Sequence, residues 1–377
     1  MSEYHYYEFR AIDRPLTDRQ MRELRAISTR AAISRTSFSN YYTFGDLKAN
    51  PRDLLTKYFD ASLYFANWLV VEVAFRYPKD AVDVKALRRY AAGHAIEIRS
   101  TARDVIVAIS VESDGESFDP ADDGSRWLSS LIGLRADLAS GDERLVYLGW
   151  LSDVQCGEID DTVVEPARPE GLGTLTPALD SFIDIVGIDR NLVTVAAMGA
   201  PKTQRASPRE VGRWLATLDV PEHLTLFERV ARGDNGVGAE LMHRFRQHTQ
   251  GRAATLPLRT AGELRAQAEA IAERRRQIAL EHESRKRAAQ ERKEQAARDR
   301  YLTRLAKEER QAWRRVDALL GARRPADYAA AVALLVDLRD ASRRKDRHTE
   351  FARRVGALRE AHEKKPSLLL RLRKAKL

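Results

Sequence analysis

The first ten residues are rich in Tyr and Phe, which is typical of a β-strand that is at least partly buried on both faces. Thr17 then opens a segment in which Met21, Leu24 and Ile27 follow at helical spacing. This pattern predicts an amphipathic helix that begins after Thr17 and covers one face of the strand.

The rest of the N-terminal region mixes helical and strand-like segments. A helix is expected over residues 51–68, with proline at its start, where the missing N–H does no harm. Runs rich in β-branched and aromatic residues predict four further strands, at 37–44, 68–76, 94–100 and 104–112. Together these elements indicate an α+β domain of about five strands over residues 1–165.

The middle of the chain follows helical patterns only. The Pro and Gly residues of 166–173 indicate a linker, and residues 174–250 predict a small helical domain of about five short helices. One helix start is well marked, because Ser207, Pro208 and Glu210 combine an N-cap hydroxyl, a proline at the first position and a capping-box carboxylate. The fold class is therefore an α+β domain followed by all-α segments, and the chain is predominantly helical.

Residues 261–320 contain no proline and predict a long charged helix, whose start is marked by a second capping box of Thr260 and Glu263. Between residues 281 and 300 the only apolar side chains are those of four alanines. Two interpretations stay open here: a solvated spacer arm, or a partner helix that buries its alanines. A sustained coiled coil requires a more continuous line of apolar residues at heptad spacing, although oligomerisation through this helix is possible.

The chain ends in a predicted helical hairpin over residues 325–377. One apolar stripe includes Tyr328 and Leu335, and a second includes Phe351 and Leu358. The last twelve residues are expected to cap this hairpin.

Charge is distributed unevenly along the chain. Residues 1–260 have a net charge of −5, whereas residues 261–377 have a net charge of +14, and 13 basic against 4 acidic side chains lie in residues 341–377. Such a bias indicates an anionic partner, which is nucleic acid, an acidic protein or the acidic head of the same chain. The candidate binding residues form two basic groups, one at the bend between the last two long helices and one at the chain end: Arg343, Arg344, Lys345, Arg347, Lys364, Lys365, Arg371, Arg373, Lys374 and Lys376.

The apolar runs and the cysteine count disfavour several classes of protein. No run approaches the roughly 20 apolar residues that cross a bilayer, so neither secretion nor membrane spanning is expected. A single cysteine, Cys156, excludes an internal disulfide and any zinc site with two thiolates, and it fits a reducing, cytoplasmic compartment. Because Cys156 falls on an apolar helical stripe, we expect a small buried thiol rather than a nucleophile.

Motifs that carry chemistry are missing from the chain. The acidic segment 112–125 departs from calcium-loop spacing at Ala121 and Ser130, and His243 and His248 are five residues apart, which does not place both rings on one helix face. Phosphate-binding glycine loops are absent. The N-terminal aromatic residues lack interleaved basic residues and are expected to serve core or interface packing. No catalytic residue, metal or cofactor is therefore expected.

Two parts of the chain resemble known bacterial proteins. Four N-terminal segments are similar to a family of uncharacterised bacterial proteins, namely residues 6–17, 21–31, 41–51 and 58–68. The tail, over 325–342 and 350–377, resembles the C-terminal helical tail of bacterial SWIM zinc-finger proteins. The zinc finger itself is absent, so the resemblance implies no metal ligand and only a common partner or surface for the two tails.

These observations favour a non-enzymatic adaptor or scaffold protein that mediates protein–protein assembly. Its basic helical tail is expected to dock an acidic partner. Two alternatives stay open. One is a sequence-nonspecific nucleic-acid-binding protein that uses the tail for phosphate contacts, and the other is an enzyme of unfamiliar type.

Overall fold

A computed structural model describes residues 4–68, 70–112, 124–201, 207–234, 236–249, 258–321 and 324–377. The chain divides into two compact units, Met1–Arg274 and Arg275–Leu377, and the boundary lies inside one long helix. The first unit contains an antiparallel sheet and the second is helical. The predicted fold class, an α+β domain followed by helical segments with a long charged helix, is confirmed.

The first unit is built on a seven-stranded antiparallel sheet in the order β2-β3-β1-β4-β5-β7-β6. Its strands are β1 His5–Arg10, β2 Ala32–Ile33, β3 Ser37–Tyr42, β4 Ala61–Ala66, β5 Val70–Pro78, β6 Ile96–Ser100 and β7 Asp104–Glu112. Its helices are α1 Asp18–Ile27, α2 Pro51–Tyr58, α3 Val84–Arg88, α4 Trp127–Leu131, α5 Gly133–Ala139, α6 Arg144–Cys156, α7 Pro177–Val186, α8 Arg190–Ala197, α9 Pro208–Leu215, α10 Val220–Ala231 and α11 Val237–Thr249.

The helix expected over residues 51–68 was wrong beyond Tyr58, where α2 ends and the chain turns into strand β4. This strand pairs with β1 on one side and β5 on the other, and most of its side chains are buried on both faces. A strand that is apolar on both faces lacks the alternation that identifies a strand in a sequence. The buried Asp60 fixes the turn, since its carboxylate accepts the backbone N–H groups of Ile12 (2.6 Å) and Asp13 (2.8 Å).

The two faces of the sheet have different covers. Phe9 on β1 packs in a core with Leu24 of α1 and Leu55 of α2. On the other face, residues such as Val107 share one large core with α4–α8, for example through Phe182, and with the start of the long helix, for example through Leu264. The unit Met1–Arg274 therefore includes both the predicted 1–165 domain and the predicted 174–250 domain.

Helix starts in this unit follow the predicted capping residues. Thr17 and Ser207 both form complete capping boxes, the latter with Glu210. Cys156, in contrast, is exposed, so the expectation of a buried thiol was wrong. It is the last residue of α6, beyond the turns that the sheet covers. Phe44, one of the aromatic residues expected to pack, is 93% exposed.

The second unit consists of the greater part of the long helix and four shorter helices. These are α12 Ala261–Lys307, α13 Glu309–Gly321, α14 Pro325–Arg344, α15 His348–Ala361 and α16 Pro366–Lys374. The predicted capping box of α12 is present: the Thr260 hydroxyl accepts from the backbone N–H of Glu263, and the Glu263 carboxylate accepts from the backbone N–H of Thr260. The helix expected over 261–320 breaks at Glu308, and every residue from 273 to 297 is exposed.

Some predicted features lie outside the described residues. They include all the carboxylates of the acidic segment except Glu112, and most of the linker at 251–260. Across the described ranges, none of the helices combines the length and the apolar character that membrane crossing requires.

Candidate anion-binding surface of the tail

Helix α14 lies at the centre of the second unit and packs against α13, α15 and α16. One apolar core joins these helices to the last turns of α12, and it includes Trp313, Leu335 and Phe351. The stripes predicted for the hairpin are therefore buried together, and the unit has a core of its own. Its basic side chains consequently stand on ordered helices.

The end of the chain is attached to this core. The Arg339 guanidinium donates to the carbonyl of Ala375 at 3.1 Å, and Arg359 donates to the carbonyl of Leu377. The backbone N–H of Leu377 donates to the carbonyl of Leu372 (3.0 Å). These contacts hold the basic residues of α16 and of the last turn against α14 and α15.

Lys376 adopts a left-handed backbone conformation, with φ of 54°. Together with the bond from Leu377 to Leu372, this is the geometry of a Schellman motif, in which glycine is the usual residue. A side chain at such a position costs conformational energy. The exposed lysine therefore adds positive charge at a position where glycine would be more stable.

Two members of the first predicted basic group are engaged within the unit. Arg344 pairs with Asp299 of α12. The Lys345 ammonium donates to the carbonyl of Ala306 at 2.9 Å, close to the end of α12, where a helix dipole attracts a cation. Both side chains therefore serve to hold α14 beside α12.

The other two members of that group differ from each other. Arg347 pairs with Glu350 (2.7 Å) and Glu309 (3.3 Å), and these carboxylates raise its pKa, with the Glu350 hydrogen bond as the largest cause. Arg343 is exposed and has no acidic partner among the residues that the structure describes. Of this group, only Arg343 is available to another molecule.

The second predicted basic group is mostly unpaired. Lys365 donates to the carbonyl of Leu320 (2.9 Å) and lies over the ring of Tyr328, 5.6 Å from its centroid. The remaining members have no acidic partner within the described ranges, and all but the half-buried Arg371 are exposed: Lys364, Arg371, Arg373, Lys374 and Lys376.

The structure separates the two groups that the sequence places in one candidate site. Arg343 is in the last turn of α14, whereas Lys365 contacts Tyr328 in the first turn, about 22 Å away at 1.5 Å per residue. Helix α16 begins near the first turn of α14 and runs in the same direction along it, so that Ala375 contacts Arg339. Arg339 is four residues, or about one turn, before Arg343. This contact places the end of α16 about one helical turn from Arg343, and we call four unpaired cations on these two segments the C-terminal basic patch: Arg343, Arg373, Lys374 and Lys376.

Sequence patterns did not single out a second basic surface, around Trp313. The Arg354 guanidinium lies over the buried indole ring, 4.3 Å from its centroid. Arg310, Arg314 and Arg353 are exposed near it, without acidic partners among the described residues. Only the packing of α15 against α13 brings these arginines together, which helical periodicity alone does not show.

The one histidine near the second group does not add to the charge at neutral pH. Burial, followed by the nearby Lys365 ammonium, lowers the pKa of His362 below its usual range. His362 therefore adds little positive charge to this group near pH 7.

A groove of about 420 Å³ in the first unit lies between α6, α8 and the start of α12. Its polar side chains already serve the fold. Gln155 donates to the carbonyl of Gly187 and accepts from the backbone of Asp189, and Arg265 donates to the carbonyl of Val154. Such a groove offers no convergent set of unused polar groups for catalysis.

Comparisons of the chain with protein-family models, with curated proteins and with solved structures found no match.

Proposed function

We propose that the protein is a non-enzymatic adaptor that mediates protein–protein assembly, and that its C-terminal basic patch docks on an acidic protein surface. One observation carries this proposal: Arg343, Arg373, Lys374 and Lys376 are exposed on α14, on α16 and in the turn that ends α16, and no carboxylate in the described residues pairs with them. Residues 275–377 contain 30 Lys and Arg but only 15 Asp and Glu. An acidic partner relieves the mutual repulsion of these cations.

Two features favour an acidic protein over nucleic acid. The aromatic rings of the second unit pack in or against its core, so none offers an open face on which a base can stack. The basic residues also form separate clusters at the two ends of α14 rather than one long stripe that follows a phosphate backbone. A compact patch of four cations fits a short acidic segment.

The expected cytoplasmic location belongs to the same proposal, since the single cysteine fits a reducing compartment. The resemblance of the tail to that of SWIM zinc-finger proteins supports a docking role for this region. Nucleic-acid binding and an enzymatic activity of the first unit are the competing functions.

The test compares two polyanions as fluorescent probes for the full-length chain. Poly-L-glutamate represents an acidic protein segment, and a random-sequence DNA duplex represents nucleic acid. We expect the chain to bind poly-L-glutamate. Replacement of all four patch residues by Gln should weaken this binding about tenfold, because each exposed ion pair contributes a fraction of a kcal/mol.

A matched control removes the same charge from the exposed part of α12. It carries Arg285→Gln, Arg287→Gln, Arg292→Gln and Lys293→Gln and should bind almost as the wild type does. If both variants lose the same amount of affinity, net charge alone explains the effect and the patch is not a specific docking site. Tight duplex binding that falls with salt at a slope near 0.9 per phosphate would replace the adaptor with the nucleic-acid function.

A further inference from the structure

Helix α10 carries an apolar face that is exposed to solvent. Val220, Leu224, Phe227 and Val230 are 69, 64, 69 and 57% exposed, whereas Leu226 of the same helix is buried. No other helix in the described ranges has more than two exposed large apolar side chains. An apolar surface of this kind usually marks an interaction site. We call these four residues the α10 stripe.

The spacing of the stripe matches that of a helix–helix seam. The first three residues of the stripe, Val220, Leu224 and Phe227, are followed by Ala231, at intervals of four, three and four residues. This is the heptad spacing with which side chains of one helix enter the holes between side chains of another. The form of the stripe therefore fits a second α-helix.

The charges beside the stripe suit a second copy of the same helix. Glu228 pairs with Arg232 and Glu222 pairs with Arg244, so the flanking charges are compensated within each chain. The centre of the stripe, near Thr225, carries no charged side chain. A contact between two identical surfaces places like groups near its two-fold axis, and it therefore requires a neutral centre.

We propose that the α10 stripe is a self-association surface, on which two copies of the chain pair in antiparallel orientation about an axis near Thr225. This orientation opposes the two helix dipoles, whereas a parallel pair would align them. A contact confined to this stripe lies at the low end of interface sizes, below roughly 1,200 Å², so the dimer dissociates on dilution.

The proposal stands apart from the docking of an acidic partner, because it involves other residues and needs no anion. It also differs from the expectation that the 261–320 helix mediates oligomerisation. On that helix only Ile278 and Leu280 are large, apolar and exposed.

Sedimentation velocity of the full-length chain over a concentration series tests the proposal. We expect a shift from monomer to dimer, and at least a tenfold weaker association for the double variant Leu224→Glu with Phe227→Glu. The matched control replaces Ile278 and Leu280 by Glu and should dimerise normally. The side chains replaced in these two variants are all exposed, so the circular dichroism spectrum should stay unchanged. If the spectrum of the Glu variant does change, Leu224→Gln with Phe227→Gln is the milder replacement.

Cross-linking tests the orientation. In a Cys156→Ser background, Thr225→Cys should form a covalent dimer with a short bismaleimide, whereas Thr303→Cys on the exposed side of α12 should not. A monomer at every concentration, or a dimer that both Leu224/Phe227 variants leave intact, would overturn the proposal. Loss of the dimer only in the Ile278/Leu280 variant would assign association to α12 and overturn it as well.

Discussion

Arg259 donates two hydrogen bonds, of 3.1 and 3.0 Å, to the fully buried carboxylate of Glu165. The same guanidinium donates to the carbonyls of Val195 (2.6 Å) and Ala196 (3.3 Å) at the end of α8. Tyr147 of α6 donates a further hydrogen bond to Glu165, and the carboxylate and burial raise the pKa of that phenol, burial being the larger cause. This one ion pair therefore connects α6, α8 and the residues just before α12.

Replacement of Arg259 by Met should lower the free energy of unfolding by about 3 kcal/mol, because it leaves a buried carboxylate without its main partner. Urea denaturation measures the loss. Additional replacement of Glu165 by Met should restore part of the stability. Arg190→Met, which breaks the exposed pairs with Asp180 and Asp184, is the control and should cost less than about 1 kcal/mol. Equal costs for the two arginines would contradict this assignment.

Two buried tyrosines of the same core should respond differently to loss of the hydroxyl. Among the described residues, Tyr77 Oη is the one buried side-chain polar atom without a hydrogen-bond partner, whereas Tyr90 Oη has two acceptors within hydrogen-bond distance for its one proton, the carbonyl of Ala167 (2.9 Å) and the carboxylate of Glu143 (3.0 Å). Tyr77→Phe should leave thermal stability unchanged or raise it by up to about 1 kcal/mol. Tyr90→Phe should cost about 1–2 kcal/mol. The reverse order would refute the assignment of hydrogen bonds.

The stability of the sheet unit should depend on Glu23 in acid. Hydrogen bonds from Tyr58, Lys57 and Arg19 lower the pKa of Glu23 from 4.5 to about 2. Between these values the unfolded chain binds a proton that the folded chain does not, so stability contributed by Glu23 is complete above pH 4.5 and falls as the pH drops towards 2. NMR titration of the Glu23 carboxyl measures the pKa directly. Tyr58→Phe should raise it, and a Glu23 that titrates normally would contradict the contacts.

Lys376→Gly should separate stability from binding. Glycine accepts the left-handed conformation at this position without strain, so the variant should be more stable by up to about 1 kcal/mol. It also removes one cation of the C-terminal basic patch and should weaken poly-L-glutamate binding about twofold. The control is Lys376→Asn, because asparagine also tolerates the left-handed conformation. Lys307→Gly cannot serve as a control, because Lys307 lies in a helix. A less stable variant would mean that the lysine side chain makes a stabilising contact.

Local signals in the sequence were sufficient for much of the fold. Thr17, Ser207 and Thr260 each marked a helix start because a cap acts within four residues. Strand β4 was missed because it is buried on both faces, and the break at Glu308 because neither proline nor glycine marks it. There the backbone N–H of Glu308 still donates to the carbonyl of Arg304, so the interruption is slight.

The candidate site was only partly predictable, for a different reason. Helical spacing identified which cations are present, but the partner of Arg344 is Asp299, 45 residues earlier in the chain. Similarly, the contact from Arg339 to Ala375 decides which cations of α14 and α16 become neighbours. Such pairings depend on the packing of separate helices, and no local pattern encodes them.

The exposed stretch of α12 also affects how the chain can be handled. From residue 273 to 297 no side chain is buried, and the stretch is rich in Arg and Lys. A helix without packed neighbours opens at small free-energy cost, and trypsin cleaves such transiently opened segments first. Limited digestion should therefore cut the chain within α12 and leave a sheet-containing fragment and a basic helical fragment. The cleavage rate then measures directly how firmly this exposed stretch of helix holds together.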